Sequence, residues 1–285
     1  GASSGIGKDM AKIFARKDCW FGGNPLPDSA IKCINSWKKY FPNYEIKEWN
    51  ESNFDIQICD YVKEAYEAKK WAFVSDYARF WILYYYGGLY FDTDVEVIKP
   101  FDDILKKGAF IGCEHANRYN TGMSLGINPG LGLGVSPGLD LFREILDLYH
   151  TSHFKKENGE LNTSLTVVTY TTDVFLRHNW KPNETIQEVD GIYVYPPEYF
   201  CPMDYITGKV DITSNTYSIH HYTASWHSKI DDKVIHISRF CVNHFGPSKG
   251  KKIARILDFP LRVKNKMDTI GFRGTLCFAL SKILK

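Results

Sequence analysis

The sequence contains few features of a secreted or membrane-spanning protein. No apolar run reaches the ~18 residues that a membrane-spanning helix requires, and no basic segment followed by an apolar one marks a signal peptide. The seven cysteines are scattered, odd in number and never spaced as C-x-x-C, which disfavours a disulfide framework or a zinc site. These absences predict a cytoplasmic protein with free thiols.

Strong net charge is also absent, but the charge is unevenly placed. The formal net charge of +2 over 285 residues disfavours nucleic acid as the main partner. Residues 245–285 contain ten Lys and Arg against two Asp, and they mix these basic residues with apolar ones in helical style up to an interruption at Pro260. Such a tail can contact an anionic membrane peripherally, on its inner face, or can equally be a solvated helix packed on the domain.

The alternation of helical and extended patterns predicts an α/β fold with a mostly parallel central sheet flanked by helices. No internal repeat or low-complexity linker divides the chain, so residues 19–244 are expected to form one domain and residues 245–285 a basic tail. Helices are predicted over 30–40, 61–70, 71–86 and 139–149, and a strand over 44–49. Gly87 and Gly88 should end the third helix. The glycine-rich residues 112–138 are predicted to form loops around short strands. Residues 167–175 are expected to belong to the same loop-rich region, which has the character of an acceptor-binding half.

The first residues, GASSGIGKDMAKIF, resemble the cofactor loop of short-chain dehydrogenases, with Gly1, Gly5 and Gly7 in its GxxxGxG spacing. Such a loop follows an apolar strand, and none stands before Gly1. The pair Tyr66 and Lys70 has the family's Tyr-x-x-x-Lys spacing but lies too close to these glycines. Residues 1–18 are therefore expected to be a non-functional dehydrogenase-like fragment, forming a peripheral helix without a dinucleotide or poorly packed structure.

The segment AFVSDYARFWILYYYGGLYFDTDVEVIKP carries the clearest chemistry. Its second half, LYFDTDVEVIKP, alternates as a single strand would and is expected to end at Pro100. Asp92 and Asp94 are two residues apart on this strand, so both side chains are expected to point to one face. Two adjacent carboxylates repel unless a cation joins them, and a hard oxygen pair favours Mn²⁺ or Mg²⁺ over zinc. An EF-hand is excluded because Val97 stands where its loop needs glycine.

On the preceding helix, Asp76 and Arg79 are three residues apart and share a face. A carboxylate can accept hydrogen bonds from sugar hydroxyls, and a guanidinium can bind phosphate oxygens in a fork. The plainer alternative is that Asp76 and Arg79 pair on a solvated face while Asp92 and Asp94 cap the end of a strand.

The whole phrase, S-D-x-x-R followed by L-Y-x-x-G-G-x-Y-x-D-x-D-V-x-x-x-x-P, resembles the DXD sugar-binding region of glycosyltransferase family 32. That group contains yeast-type mannosyltransferases and bacterial capsule and lipopolysaccharide enzymes, and the glucosylating domains of clostridial toxins are more distantly similar. The matching positions are Ser75, Asp76, Arg79, Gly87, Gly88, Tyr90, Asp92, Asp94 and Pro100. The resemblance extends upstream over CWFGGNPLPDSAIKCINSWKKYFPNYEIKEWNE and downstream over TYSIHHYTASW, covering roughly residues 19–240.

The resemblance implies a GT-A fold and transfer of a hexose from a UDP- or GDP-hexose to a glycan or lipid-linked acceptor, with retention and in capsular, exopolysaccharide or lipopolysaccharide synthesis. It implies that Asp94 binds Mn²⁺ or Mg²⁺ directly, that Asp92 contacts ribose and metal, that Asp76 holds the donor sugar and that Arg79 neutralises the diphosphate. The remaining implied contacts are Ser225 and His221 at the metal, and Trp20, Ser75, Tyr90 and Trp226 at the donor.

One departure from the family concerns the first strand. Family members usually begin with a strand of the type I-P-K-x-I-H-x-x-W, whereas the residues before Trp20 are FARKDC. This predicts that the first strand is missing. It leaves open, as an alternative, a catalytically impaired relative that still binds sugar nucleotides.

Overall fold

The computed structural model describes residues 27–116, 123–163, 165–223, 229–265, 267–268 and 271, together with the backbone of Lys12–Ala15. The described residues divide into two compact units. The first contains the described residues up to Met203 and Val210–Thr223, and the second contains Asp204–Lys209 and the described residues from 229 onward. A basic tail over residues 245–285 stays a prediction; the second unit contains the described part of this range together with the helix before it.

Ten strands are described, and their bounds are β1 (Lys12–Ala15), β2 (Glu45–Glu48), β3 (Gly88–Phe91), β4 (Val95–Val97), β5 (Ala109–His115), β6 (Leu125–Ile127), β7 (Leu133–Val135), β8 (Gln187–Val189), β9 (Ile192–Tyr195) and β10 (Ser218–His220). Nine helices are described, and their bounds are α1 (Asp28–Tyr40), α2 (Asp60–Glu67), α3 (Trp71–Tyr86), α4 (Asp102–Lys107), α5 (Asp140–His150), α6 (Val167–Arg177), α7 (Pro197–Phe200), α8 (Lys229–Phe245) and α9 (Pro247–Leu257).

The main sheet is mixed, so the prediction of a mostly parallel sheet is wrong. Its order is β2-β1-β3-β7-β5-β9-β8, with β6 paired to β5. The pairs β1–β2, β1–β3 and β5–β9 are parallel, whereas β3–β7, β5–β7, β5–β6 and β8–β9 are antiparallel. Parallel neighbours need a crossover of about a dozen or more residues. Asp190 and Gly191, with φ of 43° and 88°, instead join β8 to β9 as the two-residue turn of a hairpin.

The first strand lies inside the segment that resembles a dehydrogenase fragment. Lys12–Ala15 is β1, which pairs in parallel with β2 on one side and β3 on the other, for example Ile13 with Ile46 and Leu89. The predicted helix is therefore wrong here, because pairing on both edges satisfies the backbone of β1 in a way that the local sequence pattern does not reveal. The position of a first strand beside β2 and β3 is occupied. Residues 1–11 and 16–18 lie outside the described residues.

The predicted helix over 71–86 is confirmed as α3. It is buried along most of its length and ends at Gly87, whose φ is 63°. Aromatic side chains join it to α5: the rings of Phe80 and Phe142 are 5.0 Å apart, and those of Tyr77 and Tyr149 are 5.7 Å apart. These contacts place α3, which carries Asp76 and Arg79, in the main core.

The segment VVTYTTDVF, expected among the loops of the middle region, is helical and forms most of α6. Thr166 caps this helix, because its side chain accepts a hydrogen bond from the backbone N–H of Thr169. The helix buries Val168, Val174 and Phe175, so burial outweighs the weak helix propensity of its β-branched residues.

In the second unit, α8 and α9 form a helical pair joined at Gly246, whose φ of 75° suits the turn before Pro247 at the start of α9. A Cβ on Gly250 would lie 2.5 Å from the carbonyl oxygen of Cys241 and from the Cα of Val242, so the two backbones approach closely there. Among the described residues, no helix is both long and apolar enough to cross a membrane.

Candidate active site

The two aspartates lie in a turn between two strands of different sheets, and not within the single strand that the sequence predicts. β3 ends at Phe91 in the main sheet, and β4 begins at Val95 in a separate two-stranded sheet with β10. The backbone N–H of Val95 donates to the carbonyl of Asp92 across the turn, at 2.9 Å. The turn still brings the pair together: one carboxylate oxygen from each aspartate and one ring nitrogen of His220 lie within 4.8 Å of one another.

Arg79 links the helix to this turn. Its side chain is 2% exposed, and its Nη2 donates to Oδ1 of Asp76 at 2.7 Å. Nη1 lies 3.4 Å from Oδ1 of Asp92 and makes no hydrogen bond within the described residues. Burial disfavours the cation, but the charges of Tyr90, Asp92 and Asp76 outweigh burial and raise the pKa of Arg79. The guanidinium is thus a permanent buried cation at the edge of the aspartate turn.

Tyr90 orients both of these groups. The guanidinium of Arg79 lies over its ring, 4.7 Å from the ring centroid, and its hydroxyl donates to Oδ1 of Asp92 at 2.8 Å. Ser75 is buried nearby, and its hydroxyl donates to the carbonyl of Ala72 while its own carbonyl accepts from Nε of Arg79. Ser75 therefore contributes to the site through its backbone, and its side chain serves the helix.

Asp94 is held by the end of the second strand of the small sheet. Its Oδ1 lies 3.2 Å from Nε2 of His220, and its Oδ2 accepts from the backbone N–H of Thr223 at 2.9 Å. Burial opposes ionisation, but the charge and hydrogen bond of His220, with the Thr223 amide, hold the pKa of Asp94 well below its usual value. The pKa of His220, which burial would lower, is raised well above its usual value by Asp94. The two side chains thus form a buried ion pair.

His221, the histidine expected at the metal, points elsewhere. Its Nε2 bonds to Oε2 of Glu96 at 2.8 Å, and that carboxylate also accepts from Nζ of Lys32 at 2.9 Å. Only the backbone N–H of His221 reaches the turn, where it donates to the carbonyl of Asp94. Adjacent residues on an extended chain face opposite ways, so His220 and not His221 faces Asp94.

A second buried cluster lies around His220. The hydroxyl of Tyr222 donates to Oε2 of Glu114 at 2.7 Å and lies 2.9 Å from Sγ of Cys201. The ring of Tyr222 also packs edge-on against that of His220, with centroids 4.2 Å apart. These contacts fix the orientation of the imidazole, so that Nε2 faces Asp94.

Sequence reasoning missed the loop between β6 and β7 that supports Asp92. The backbone N–H of Asp92 donates to the carbonyl of Gly130, and a Cβ on Gly130 would lie 2.1 Å from Oδ2 of Asp92. The loop is shaped by Asn128, whose side chain accepts from the N–H of Gly130 at 2.8 Å. The turn signal Asn-Pro-Gly is visible in the sequence, but its contact with Asp92 is long-range.

The structure thus brings together Asp76, Arg79, Tyr90, Asp92 and Asp94, which the sequence singled out. It adds His220 and Gly130. The remaining expected contacts, Trp20 at the nucleotide base and Ser225 and Trp226 at the metal and diphosphate, lie outside the described residues.

Residues 27–111 match a family model described as "Glycosyltransferase sugar-binding region containing DXD motif". This range contains the helix with Asp76 and Arg79 and the turn with Asp92 and Asp94. A stretch of 97 residues is 31% identical to Inositol phosphoceramide mannosyltransferase 1 of Schizosaccharomyces pombe and covers 30% of this chain and 29% of that protein. The chain therefore spans less than a third of the length of the curated relative that it matches.

Among solved structures, the chain is similar to one titled "PaToxG Glycosyltransferase", with a TM-score of 0.45 and 17% identity over 59% of this chain and 69% of that chain. The matched range of the family model contains both motifs of the candidate site. Both the matched family model and the curated relative are described as glycosyltransferases.

Proposed function

We propose that the protein is a metal-dependent glycosyltransferase that moves a hexose from a UDP- or GDP-hexose to a glycan or lipid-linked acceptor. The main support for the proposal is that the Asp92 carboxylate lies both beside the buried guanidinium of Arg79 and within a cluster of possible metal ligands. Asp92 belongs to the cluster with Asp94 and His220, and its Oδ1 lies 3.4 Å from Nη1 of Arg79. A nucleotide diphosphate needs such positive charge beside a metal-binding carboxylate pair.

The side chains present fit a divalent cation. Carboxylates suit Mn²⁺ and Mg²⁺, and the imidazole of His220 favours Mn²⁺ of the two. We propose Asp92, Asp94 and His220 as the ligands from the described residues, with the metal replacing the proton that His220 carries in its ion pair with Asp94. We keep Ser225 as a further proposed ligand. When bound, the metal would neutralise charge on the leaving diphosphate.

The protein side chains then have distinct tasks. Arg79 would use Nη1, its buried N–H group without a hydrogen bond among the described residues, to donate to a diphosphate oxygen. Asp76, fixed by Nη2 of Arg79, would accept hydrogen bonds from hydroxyls of the donor sugar. Tyr90 would hold both Arg79 and Asp92 in place. We further propose Trp20 and Trp226 as donor contacts, because of the family resemblance.

The acceptor and stereochemistry are proposed from the family resemblance alone. We propose that transfer retains the configuration at the anomeric carbon. We also propose that the acceptor belongs to capsular, exopolysaccharide or lipopolysaccharide synthesis. The impaired relative is not our proposal, because it depended on a missing first strand and β1 fills that position between β2 and β3. A dehydrogenase is disfavoured, since Lys12–Ala15 forms a strand where a dehydrogenase continues into the helix after its glycine loop.

The test is a screen of UDP- and GDP-hexoses with the full chain and Mn²⁺. A ligand that binds the folded state raises the melting temperature, and a donor should also be hydrolysed or transferred. We expect at least one nucleotide sugar to do both, and Asp94→Ala to lose both effects. Asp140→Ala is the matched control, because Asp140 is an exposed carboxylate on α5. The proposal fails if no donor binds, or if Asp94→Ala and Asp140→Ala behave alike.

A further inference from the structure

The second unit presents a stripe of two basic and two apolar side chains on one face of α9 and its continuation. Lys249, Lys252, Ile256 and Phe259 are spaced by three, four and three residues, so they lie along one side of a helix. Both lysines are exposed. Ile256 is 74% exposed and Phe259 is 63% exposed, the highest values among the large apolar side chains of the described residues. We call these four residues the basic stripe.

The helical repeat continues through the boundary at the end of α9. The N–H of Asp258 donates to the carbonyl of Ala254, and the N–H of Arg262 donates to the carbonyl of Asp258. The opposite face is the packed one, because Gly250, Ala254 and Asp258 are buried. The basic stripe therefore lies on the outward side of α9 and of the helical turn that follows Asp258.

The exposed charges on the helical segment that carries the basic stripe are all positive. Lys251 and Arg255 are exposed on the same helix. The one acidic residue between 247 and 265, Asp258, is fully buried and its carboxylate is bound by Nε and Nη2 of Arg262 at 2.6 and 2.8 Å. No exposed carboxylate on this segment offsets the lysines.

We propose that the basic stripe docks on an anionic lipid surface, with Ile256 and Phe259 inserted among the acyl chains and Lys249 and Lys252 at the headgroups. Lysine is depleted in the cores of protein–protein interfaces, whereas helices that lie on membranes combine Lys and Arg with Phe and Leu. Because two exposed lysines and two exposed apolar side chains follow one another along one line, with no exposed carboxylate between them, the charge and the apolar surface together favour an anionic lipid surface over a second protein. This names the surface that would bring the proposed transferase to a lipid-linked acceptor.

The test measures co-sedimentation of the full chain with vesicles of phosphatidylcholine alone or of an equal mixture with phosphatidylglycerol. We expect binding to the anionic vesicles to exceed binding to the neutral ones at least tenfold. Each basic residue near an anionic surface strengthens binding about fivefold, so K249Q/K252Q should weaken binding by more than tenfold. I256S/F259S should also weaken it by tenfold or more, because the apolar insertion is lost.

Controls keep the result specific to the basic stripe. K38Q/K39Q removes two exposed lysines from α1, and I212S removes an isoleucine that is 57% exposed in the first unit, so both should bind vesicles as the wild type does. Circular dichroism checks that every variant is folded. Asp94→Ala should bind vesicles as the wild type does, and the two stripe variants should still hydrolyse a water-soluble donor. Failure of the membrane proposal can therefore be distinguished from failure of the proposed transferase function.

The proposal is overturned if the wild type does not prefer anionic vesicles, or if the stripe variants bind as the controls do. It is also overturned if the wild type binds no vesicles and forms a dimer that I256S/F259S converts to a monomer. That outcome would assign the basic stripe to a contact between two copies of the chain.

Discussion

The Nε2 of His220 lies 3.2 Å from the Oδ1 of Asp94, and the neighbouring His221 turns to Glu96 instead. The two histidines thus provide a matched pair. His220→Gln should raise the Mn²⁺ concentration needed for half-maximal donor turnover by about tenfold or more, since loss of a metal ligand or its support typically costs 10–100-fold in affinity. His221→Gln should change it little. A Mn²⁺ titration of both variants decides, and an equal effect of both would contradict the assignment.

Gly130 leaves the space that the Asp92 carboxylate occupies. A Cβ there would lie 2.1 Å from Oδ2 of Asp92, at the end of a side chain that can shift. Gly130→Ala should therefore displace the carboxylate and weaken Mn²⁺-dependent donor binding about tenfold or more, with a small loss of stability. Calorimetry measures the first effect and thermal denaturation the second.

Gly134→Ala is the control for that substitution. A Cβ on Gly134 would lie 2.3 Å from Phe110 and 2.7 Å from Leu89, away from the aspartate turn. It should lower the free energy of unfolding by about 1–3 kcal/mol through overpacking, while the folded fraction keeps its affinity for the donor. If Gly130→Ala lost only stability and kept donor affinity, the positioning of Asp92 by this loop would be refuted.

We propose two tasks for Arg79, one in folding and one in donor binding. Arg79→Lys keeps the charge but loses the fork that reaches Asp76 and Asp92, so the free energy of unfolding should fall by about 1–3 kcal/mol. Donor turnover should fall by about 10²-fold, since an electrostatic contact to the diphosphate is lost. Arg143→Lys, in an exposed pair with Asp140, should change neither. Normal turnover in Arg79→Lys would remove the guanidinium from the mechanism.

Some of the site follows from local sequence, and some does not. The helix with Asp76 and Arg79 and its end at Gly87 were predictable, because helical periodicity and a glycine stop are local signals. The aspartates were recognised, but the turn that separates β3 from β4 was not, since alternating residues continue across it. Whether His220 or His221 faces Asp94 depends on which alternate side chains of β10 point toward the aspartate turn. A shift of one residue reverses which side chain faces inward.

Long-range pairing explains the remaining misses. Lys12–Ala15 becomes a central strand because β2 and β3 lie on either side, although its local sequence reads as part of a helix. The sheet is mixed because β7 inserts in antiparallel fashion between β3 and β5. Neither fact is encoded within a short window of sequence, and both depend on partners far along the chain.

A pH-dependent contribution to stability should come from His178. Its Nε2 bonds to Oε2 of Glu144 at 2.7 Å and its Nδ1 to Asp190. The hydrogen bond with Glu144 raises the pKa of His178, against the effect of desolvation and with help from Asp190. Because the folded-state pKa exceeds the unfolded value of about 6.5, this stabilisation is fully present below pH ~6.5 and is lost as the pH rises through the folded-state pKa.

His178→Gln should therefore lower the free energy of unfolding by about 1 kcal/mol or less at pH ~5.5. The loss should be progressively smaller at pH ~8 and above. His236→Gln, at an exposed position on α8, serves as the control for replacing a histidine elsewhere in the protein. Urea denaturation at several pH values measures the effect. A loss in the free energy of unfolding that is independent of pH, or that grows with rising pH, would contradict a stabilising ion pair between His178 and its two carboxylates.

The most direct test of the central claim is calorimetry of UDP and GDP binding with and without Mn²⁺. In the proposed site, Asp92, Asp94 and His220 would hold the metal and the diphosphate would lie beside Arg79. We predict that at least one nucleotide binds, that Mn²⁺ strengthens this binding tenfold or more, and that Asp94→Asn loses the strengthening. Binding of neither nucleotide, or binding that Mn²⁺ leaves unchanged in both proteins, would contradict the proposed site.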